Sequence, residues 1–205
     1  DKDGDIDLVV GNLGTNTKLR KQEKGALKMY VKDIDGNQTL EHILTYQVNQ
    51  HWYPVASKDE LAKQMPLINK KFTNYRDFAG KTIDQLFEKD QLKEANVLEV
   101  NQFESVYLEN LGNKKFRQYV LPREAQVSKI FALHLTDINN DGNLDILLGG
   151  NFYGVSPYQG RYDASYGLLL QGNGHGKFKP VLPTESGLVL EGQIRDIKPL
   201  QTPAG

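Results

Sequence analysis

The chain has 205 residues, 39% of them hydrophobic, 19 glycines and a formal net charge of −1. That length is enough for a substantial core, and the near-neutral charge supplies no field to draw in nucleic acid or anionic lipid. There are no cysteines, which excludes disulfides, thiolate metal sites and a cysteine nucleophile; no apolar run approaches the ~18 residues of a membrane span, and no signal-like segment opens the chain.

The chain opens on DKDGDIDLVVGN, residues 1–12, which matches DINNDGNLDILLGGN, residues 137–151. Asp1 aligns with Asn139, Asp3 with Asp141, Gly4 with Gly142 and Asp7 with Asp145. The position equivalent to Asp137 would precede residue 1, so the chain is expected to begin inside a loop of something longer. Residues 1–25 are expected to form a truncated first blade of a repeat array.

Strand LKMYVKD follows, then a third acidic loop in VKDIDGNQTLEHIL, with Asp33, Asp35, Asn37 and Glu41 at the four matching positions. It departs at Gln38, where the other loops carry a glycine that would adopt a left-handed backbone at no steric cost. This loop is therefore the weakest match.

Residues 57–96 read as a helical insertion within a blade. SKDE at Ser57 to Glu60 and TIDQ at Thr82 to Gln85 have capping-box spacing. Leu61, Met65, Ile68, Phe72 and Tyr75 recur at helical spacing, with a break expected at Pro66. The stripe is expected to pack as core.

SVYLENLGNKKFRQYVLP, residues 105–122, resembles YGLLLQGNGHGKFKPVLP, residues 166–183. An offset of about 60 residues marks a propeller or solenoid. The order IFALHLTD, acidic loop, DILLGGN, YGLLLQG, FKPVLP gives four antiparallel strands, as in a propeller blade. The preceding blade is expected to contain LKMYVKD, EHILTYQV, SVYLENL and FRQYVLP. VLEGQIRDIKPL, residues 189–200, is expected to begin another, with Asp196 in the place of Asp137. The predicted fold class is all-β: residues 1–205 as a partial β-propeller of four-stranded blades with a helical insertion.

Alternating Asp and Asn put oxygens on one side of a tight loop, and calcium takes six to eight oxygen ligands. The candidate metal ligands are Asp137, Asn139, Asp141, Asn143 and Asp145; Asp1, Asp3, Asp5 and Asp7; and Asp33, Asp35, Asn37 and Glu41. Asn143 and Asp5 are expected to offer backbone carbonyls. Position 12 from Asp137 is Leu148 rather than an EF-hand glutamate, so the loop joins two strands. The plain alternative is an Asp/Asn/Gly hairpin turn without metal.

These loops, each running into an apolar strand that ends in Gly-Asn, resemble the FG-GAP or VCBS repeat, the calcium-loop blade of the integrin α-subunit propeller and of many bacterial surface proteins. YPVASKDELAKQMP and GRYDASYG add similarity to bacterial VCBS-repeat lipoproteins. The resemblance implies Ca2+ as a structural ion and an extracellular or outer-membrane surface, or periplasmic, location. It implies a protein or glycan partner, with further blades or a second copy covering open sheet edges.

Catalysis has little support: His42, His51, His134 and His175 are scattered with no metal or triad spacing. The most unusual polar cluster is NFYGVSPYQGRYDASYG, residues 151–167. Tyr158, Arg161, Tyr162, Asp163 and Tyr166 are candidates for contact with a sugar or protein, and Arg161 with Asp163 is alternatively an internal pair. A non-catalytic calcium-stabilised propeller segment is the favoured reading. Part of a propeller polysaccharide lyase, with Arg161, Tyr162 and Asp163 at its site, is the alternative.

Overall fold

The computed structural model describes residues 2–19, 26–156 and 160–200. In chain order the elements are β1 (Leu8–Val10), β2 (Leu27–Lys32), β3 (Glu41–Val48), β4 (His51–Pro54), then five short helices α1 (Lys58–Gln64), α2 (Leu67–Lys71), α3 (Tyr75–Phe78), α4 (Ile83–Leu86) and α5 (Lys89–Leu92). There follow β5 (Asn96–Val100), β6 (Val106–Asn110), β7 (Phe116–Val120), a 3-10 turn at Arg123–Gln126, β8 (Ile130–Thr136), β9 (Asp145–Gly150), β10 (Leu168–Gly172), β11 (Phe178–Val181) and α6 (Pro183–Ser186). The fold is β-rich, with three antiparallel sheets, and the described strands close no ring. The chain divides into two compact units, residues 1–18 with 103–205, and residues 19–102.

The first unit holds two sheets. One is the meander β11-β10-β9-β8, which the alternation of IFALHLTD, DILLGGN, YGLLLQG and FKPVLP predicts. The other is β1-β6-β7. Here the pairing differs from expectation: SVYLENL and FRQYVLP join the strand of DLVVGN, not LKMYVKD and EHILTYQV. The side chain of Asp7 explains the choice. Its carboxylate accepts the Asn110 backbone N–H at 2.9 Å and the Tyr107 hydroxyl, and so holds β6 beside β1. Asp145 does the same for β9 and β10, accepting the Gly172 N–H at 2.9 Å. The two hairpins also close alike, Leu111 N–H to Lys115 O at 2.8 Å and Asn173 N–H to Lys177 O at 3.1 Å. Tyr107, Leu121, Ala125, Ile146, Leu148 and Leu170 form one core shared by both sheets.

The glycines of the Gly-Asn strand ends have a packing reason. A Cβ on Gly150 would sit 1.7 Å from the Lys129 carbonyl, and one on Gly11 would sit 2.8 Å from the Ile130 carbonyl. Backbone from the next segment crosses there too closely for any side chain. Ile130 N–H donates to Asn12 O at 3.0 Å, and Ile194 N–H to Gly150 O at 2.7 Å. Residues 187–200 nevertheless form no strand, and Asp196 sits in a surface pair with Lys198 at 2.8 Å rather than at the head of an acidic loop. The expected further blade is absent from the described residues.

The second unit contains the sheet β4-β3-β2-β5 and the five helices. Ser57 and Thr82 form capping boxes with Glu60 and Gln85, satisfying N–H groups that a helix start leaves unpaired. A third box, Glu88 with Gln91, lacks the Ser or Thr that the sequence pattern requires. Pro66 separates α1 from α2. Leu61, Met65, Ile68 and Phe72 are buried with Ile34 and Ile43. Tyr75, assigned to the same stripe, is 66% exposed instead, because α2 ends at Lys71 and Tyr75 opens the separate helix α3; its hydroxyl donates to Asp59 at 2.9 Å.

Candidate functional site

The three acidic loops share a backbone conformation. Lys2 and Gly4, Gly36 and Gln38, and Asn140 and Gly142 occupy equivalent positions, and all six have positive φ. Gln38 takes φ 69° although it carries a Cβ, at a strain of roughly 1 kcal/mol. The departure in its sequence therefore changes the cost of the turn and leaves its shape intact.

Side-chain oxygens hold each loop from inside. Asp33 accepts N–H groups of Gly36 at 2.7 Å, Asn37 at 3.0 Å and Gln38 at 2.8 Å, and Asp137 those of Asp141 at 3.1 Å and Gly142 at 2.8 Å. At the fifth position Asn37, Asp141 and Asp3 each accept the N–H two residues on, from Thr39 at 2.8 Å, Asn143 at 2.8 Å and Asp5 at 3.1 Å. The last acid reaches back: Glu41 accepts Ile34 N–H at 2.6 Å and Asp145 accepts Ile138 N–H at 3.1 Å. Glu41 and Asp145 are each 1% exposed. Asp1 lies outside the described residues, so the first loop is described from Lys2 onward.

The charge state follows the hydrogen bonding. Bonds from the Asn139 side chain and the Asn143 N–H hold Asp141 below the usual carboxylate range. Burial pushes Asp7 up, but bonds from Tyr107 and Asn110 outweigh it and leave Asp7 lowered. Asp5 is raised, by desolvation and by the nearby charges of Asp3 and Asp7. A loop with this many carboxylates gains from a cation.

The donor set suits calcium. Asp33, Asp35 and Glu41 present oxygens that all lie within 4.8 Å of one another, about twice a calcium–oxygen distance of 2.3–2.6 Å. A carboxylate has about four lone-pair sites and Asp33 spends three on N–H groups, which leaves one for an ion. Among the described residues this is the one group of three acidic or histidine side chains that converges so closely. The loop with the poorest sequence match is thus the one whose acids converge among the described residues; the last loop carries Asn139 where this one carries Asp35.

The 151–167 loop is closed by backbone bonds between Phe152 and Tyr162, at 2.7 and 3.1 Å. Tyr162 is buried, with its hydroxyl 2.9 Å from Thr17 Oγ1. Arg161 pairs with Asp163 at 3.5 Å and lies 4.1 Å over the Tyr153 ring. Tyr166 is exposed, and its carbonyl accepts the Leu190 N–H at 2.7 Å. Tyr158 lies outside the described residues. The four histidines lie on four different elements: His42 in β3, His51 in β4, His134 in β8 and His175 in the β10–β11 turn.

Sequence reasoning missed a second cluster beside this loop. Lys129 places its ammonium 4.4 Å from the centre of the Phe152 ring and 4.1 Å from that of Tyr162. Arg195 lies 4.2 Å over Phe131 and 5.8 Å from Phe152. These residues come from three distant segments, and no local pattern connects them. Comparison with protein-family models, curated proteins and solved structures gives no significant match to this chain.

Proposed function

We infer that the chain is a non-catalytic, calcium-binding segment of a β-propeller from a secreted or cell-surface bacterial protein, where it mediates binding to a protein or a glycan. The observation that carries this reading is the recurrence of one loop: the same two left-handed residues and Asp or Asn oxygens at alternating positions in all three, with the first aspartate and the last acid accepting the same inward N–H bonds in the middle and last copies. Hard, oxygen-seeking calcium is the ion that such a donor set takes. Asp33, Asp35, Asn37 and Glu41 would hold it in the middle loop; Asp137, Asn139, Asp141 and Asp145 in the last; Asp3, Asp5 and Asp7 in the first. The bound ion would neutralise carboxylates that otherwise repel one another.

Two sheets with equivalent hairpins and a shared core support the propeller reading. Strand β7 leaves Phe116, Tyr119 and Val120 exposed, and β5 leaves Val97, Leu98 and Val100 exposed. Further blades or a second copy would cover such edges. An extracellular or outer-membrane setting, or the periplasm, fits loops of modest affinity in the presence of millimolar calcium. The lyase alternative loses ground because the Tyr162 ring is buried and its hydroxyl is engaged by Thr17, so it is poorly placed as a base.

The test is thermal unfolding with 2 mM calcium, roughly the extracellular level, and with a chelator. The expected result is a calcium-dependent rise in midpoint that Asp33→Ala with Glu41→Ala, and separately Asp137→Ala, each reduce. An identical midpoint in calcium and chelator overturns the reading.

A further inference from the structure

We propose that the cation–aromatic cluster formed by Lys129, Arg161 and Arg195 on Phe131, Phe152, Tyr153 and Tyr162 binds an anionic sugar polymer, one carrying carboxylate or sulfate groups. This deepens the surface-binding reading above and rests on it. The cluster lies in the first unit, at the end of the β8–β9 pair opposite the acidic loop of residues 137–145: Lys129 precedes β8, and residues 152, 153, 161 and 162 follow β9.

Lys129 and Arg195 share the Phe152 ring, and Arg161 stacks on the ring of the next residue, Tyr153. Lys129 is wedged between Phe152 and Tyr162, and Arg195 lies near the same Phe152, whose ring centre is 6.0 Å from that of Phe131. Arg161, on the strand-like segment paired to Phe152, stacks over Tyr153. Against three positive charges stands one described carboxylate in an ion pair, Asp163, in an exposed contact with Arg161. Exposed pairs of this kind are worth little and exchange readily. Among the described residues neither Lys129 nor Arg195 has a carboxylate within ion-pair distance; Arg195 donates to the Asn151 carbonyl at 2.8 Å and the Gln193 side-chain oxygen at 2.6 Å, whereas Lys129 has only its two rings.

Lys129 is the telling residue. Partial burial pushes its ammonium below the ordinary lysine value, with no carboxylate opposing the effect. A partly desolvated cation without a counter-ion carries a cost, and contact with two rings offsets part of it. An anion arriving from solution would supply the remainder. The rings hold the cations in place while Phe131, 46% exposed, offers apolar surface beside them. Single-stranded nucleic acid would need bare ring faces for base stacking. Here a cation covers one face of each ring, so the patch displays fixed charge instead, which suits the sparse anionic groups of a polysaccharide.

The test uses the full chain in 2 mM calcium and 0.15 M salt, near extracellular conditions. Affinity would be measured for polygalacturonate, dextran sulfate, unmodified dextran and a thymidine oligonucleotide. Binding to one or both anionic polymers, none to dextran, and weakening by at least about tenfold in Lys129→Met with Arg161→Gln support the proposal. The two polymer arms distinguish carboxylate from sulfate. Lys179→Met, an exposed lysine on β11, is the control and should leave affinity unchanged. Equal binding of dextran, tightest binding to the oligonucleotide, no binding at all, or indifference to the double variant each overturn it. Failure here with an intact calcium-dependent midpoint sinks the cluster alone, whereas a midpoint insensitive to chelator sinks the calcium reading independently.

Discussion

Asp145 is the residue whose loss should cost the first unit most for its size. One oxygen accepts the Gly172 N–H at 2.9 Å and the other the Ile138 N–H at 3.1 Å, while the residue is 1% exposed. Asp145→Ala strands the buried Gly172 N–H and removes the acceptor of the part-buried Ile138 N–H. The buried group costs about 1–3 kcal/mol and the part-buried bond about 0.5–1.5 kcal/mol, so the expected loss is about 2–4 kcal/mol before any ion is considered. For a chain of this size that lowers the melting midpoint by about 5–15 °C. Asp145→Asn keeps one acceptor and should lose about half as much. Both should be measured in chelator, which isolates the hydrogen bonds from metal binding. Because Trp52 is the single tryptophan and lies in the second unit, its fluorescence would report the wrong region. Hydrogen exchange followed by peptide is the suitable assay, and lost protection should concentrate on residues 137–150 and 168–172. A midpoint within about 0.5 kcal/mol of wild type, or an Asn variant as damaged as the Ala variant, would refute this account of how the loop is anchored.

Gly150→Ala should destabilise by about 3 kcal/mol or more, since its Cβ would overlap the Lys129 carbonyl, a backbone atom that cannot swing aside; urea unfolding would show it. Gln38→Gly should stabilise the middle loop by at most about 0.5 kcal/mol, the relief of left-handed strain less the added freedom of the unfolded chain, read from the second unit by Trp52 fluorescence. Asp141 and Asp7 have lowered values in the folded state, so their contribution is complete above the unfolded carboxylate value near 4 and fades as pH falls through the folded values; stability without calcium should decline below about pH 4. Tyr107 shifts the other way, raised by burial and by its bond to Asp7. Its contribution is complete below the unfolded value near 10 and lost only as pH rises through the folded one, so in a spectroscopic titration it should ionise after the exposed tyrosines.

Much of this molecule is written in short stretches of its sequence. The alternation of IFALHLTD and DILLGGN, the glycine and asparagine turns, the capping boxes at Ser57 and Thr82, and the acidic loops depend on interactions within a few residues. Local chemistry alone determines them. Partner choice is different in kind. Nothing near DLVVGN states that it pairs with a strand about 100 residues later rather than with the next strand along. That choice was settled by the need of Asp7 to accept the Asn110 N–H and the Tyr107 hydroxyl, and by the apolar face that Tyr107 brings to the core. The same holds for Tyr75, whose phase changed between α2 and α3, and for Lys129, Phe152 and Arg195, which meet only when their segments fold together. The sequence by itself determined the strands, turns, caps and ligand-bearing loops, because their bonds span few residues. The tertiary structure alone decided which strands adjoin, which acids converge and where the cations gather, because burial and hydrogen-bond satisfaction are properties of the assembled interior.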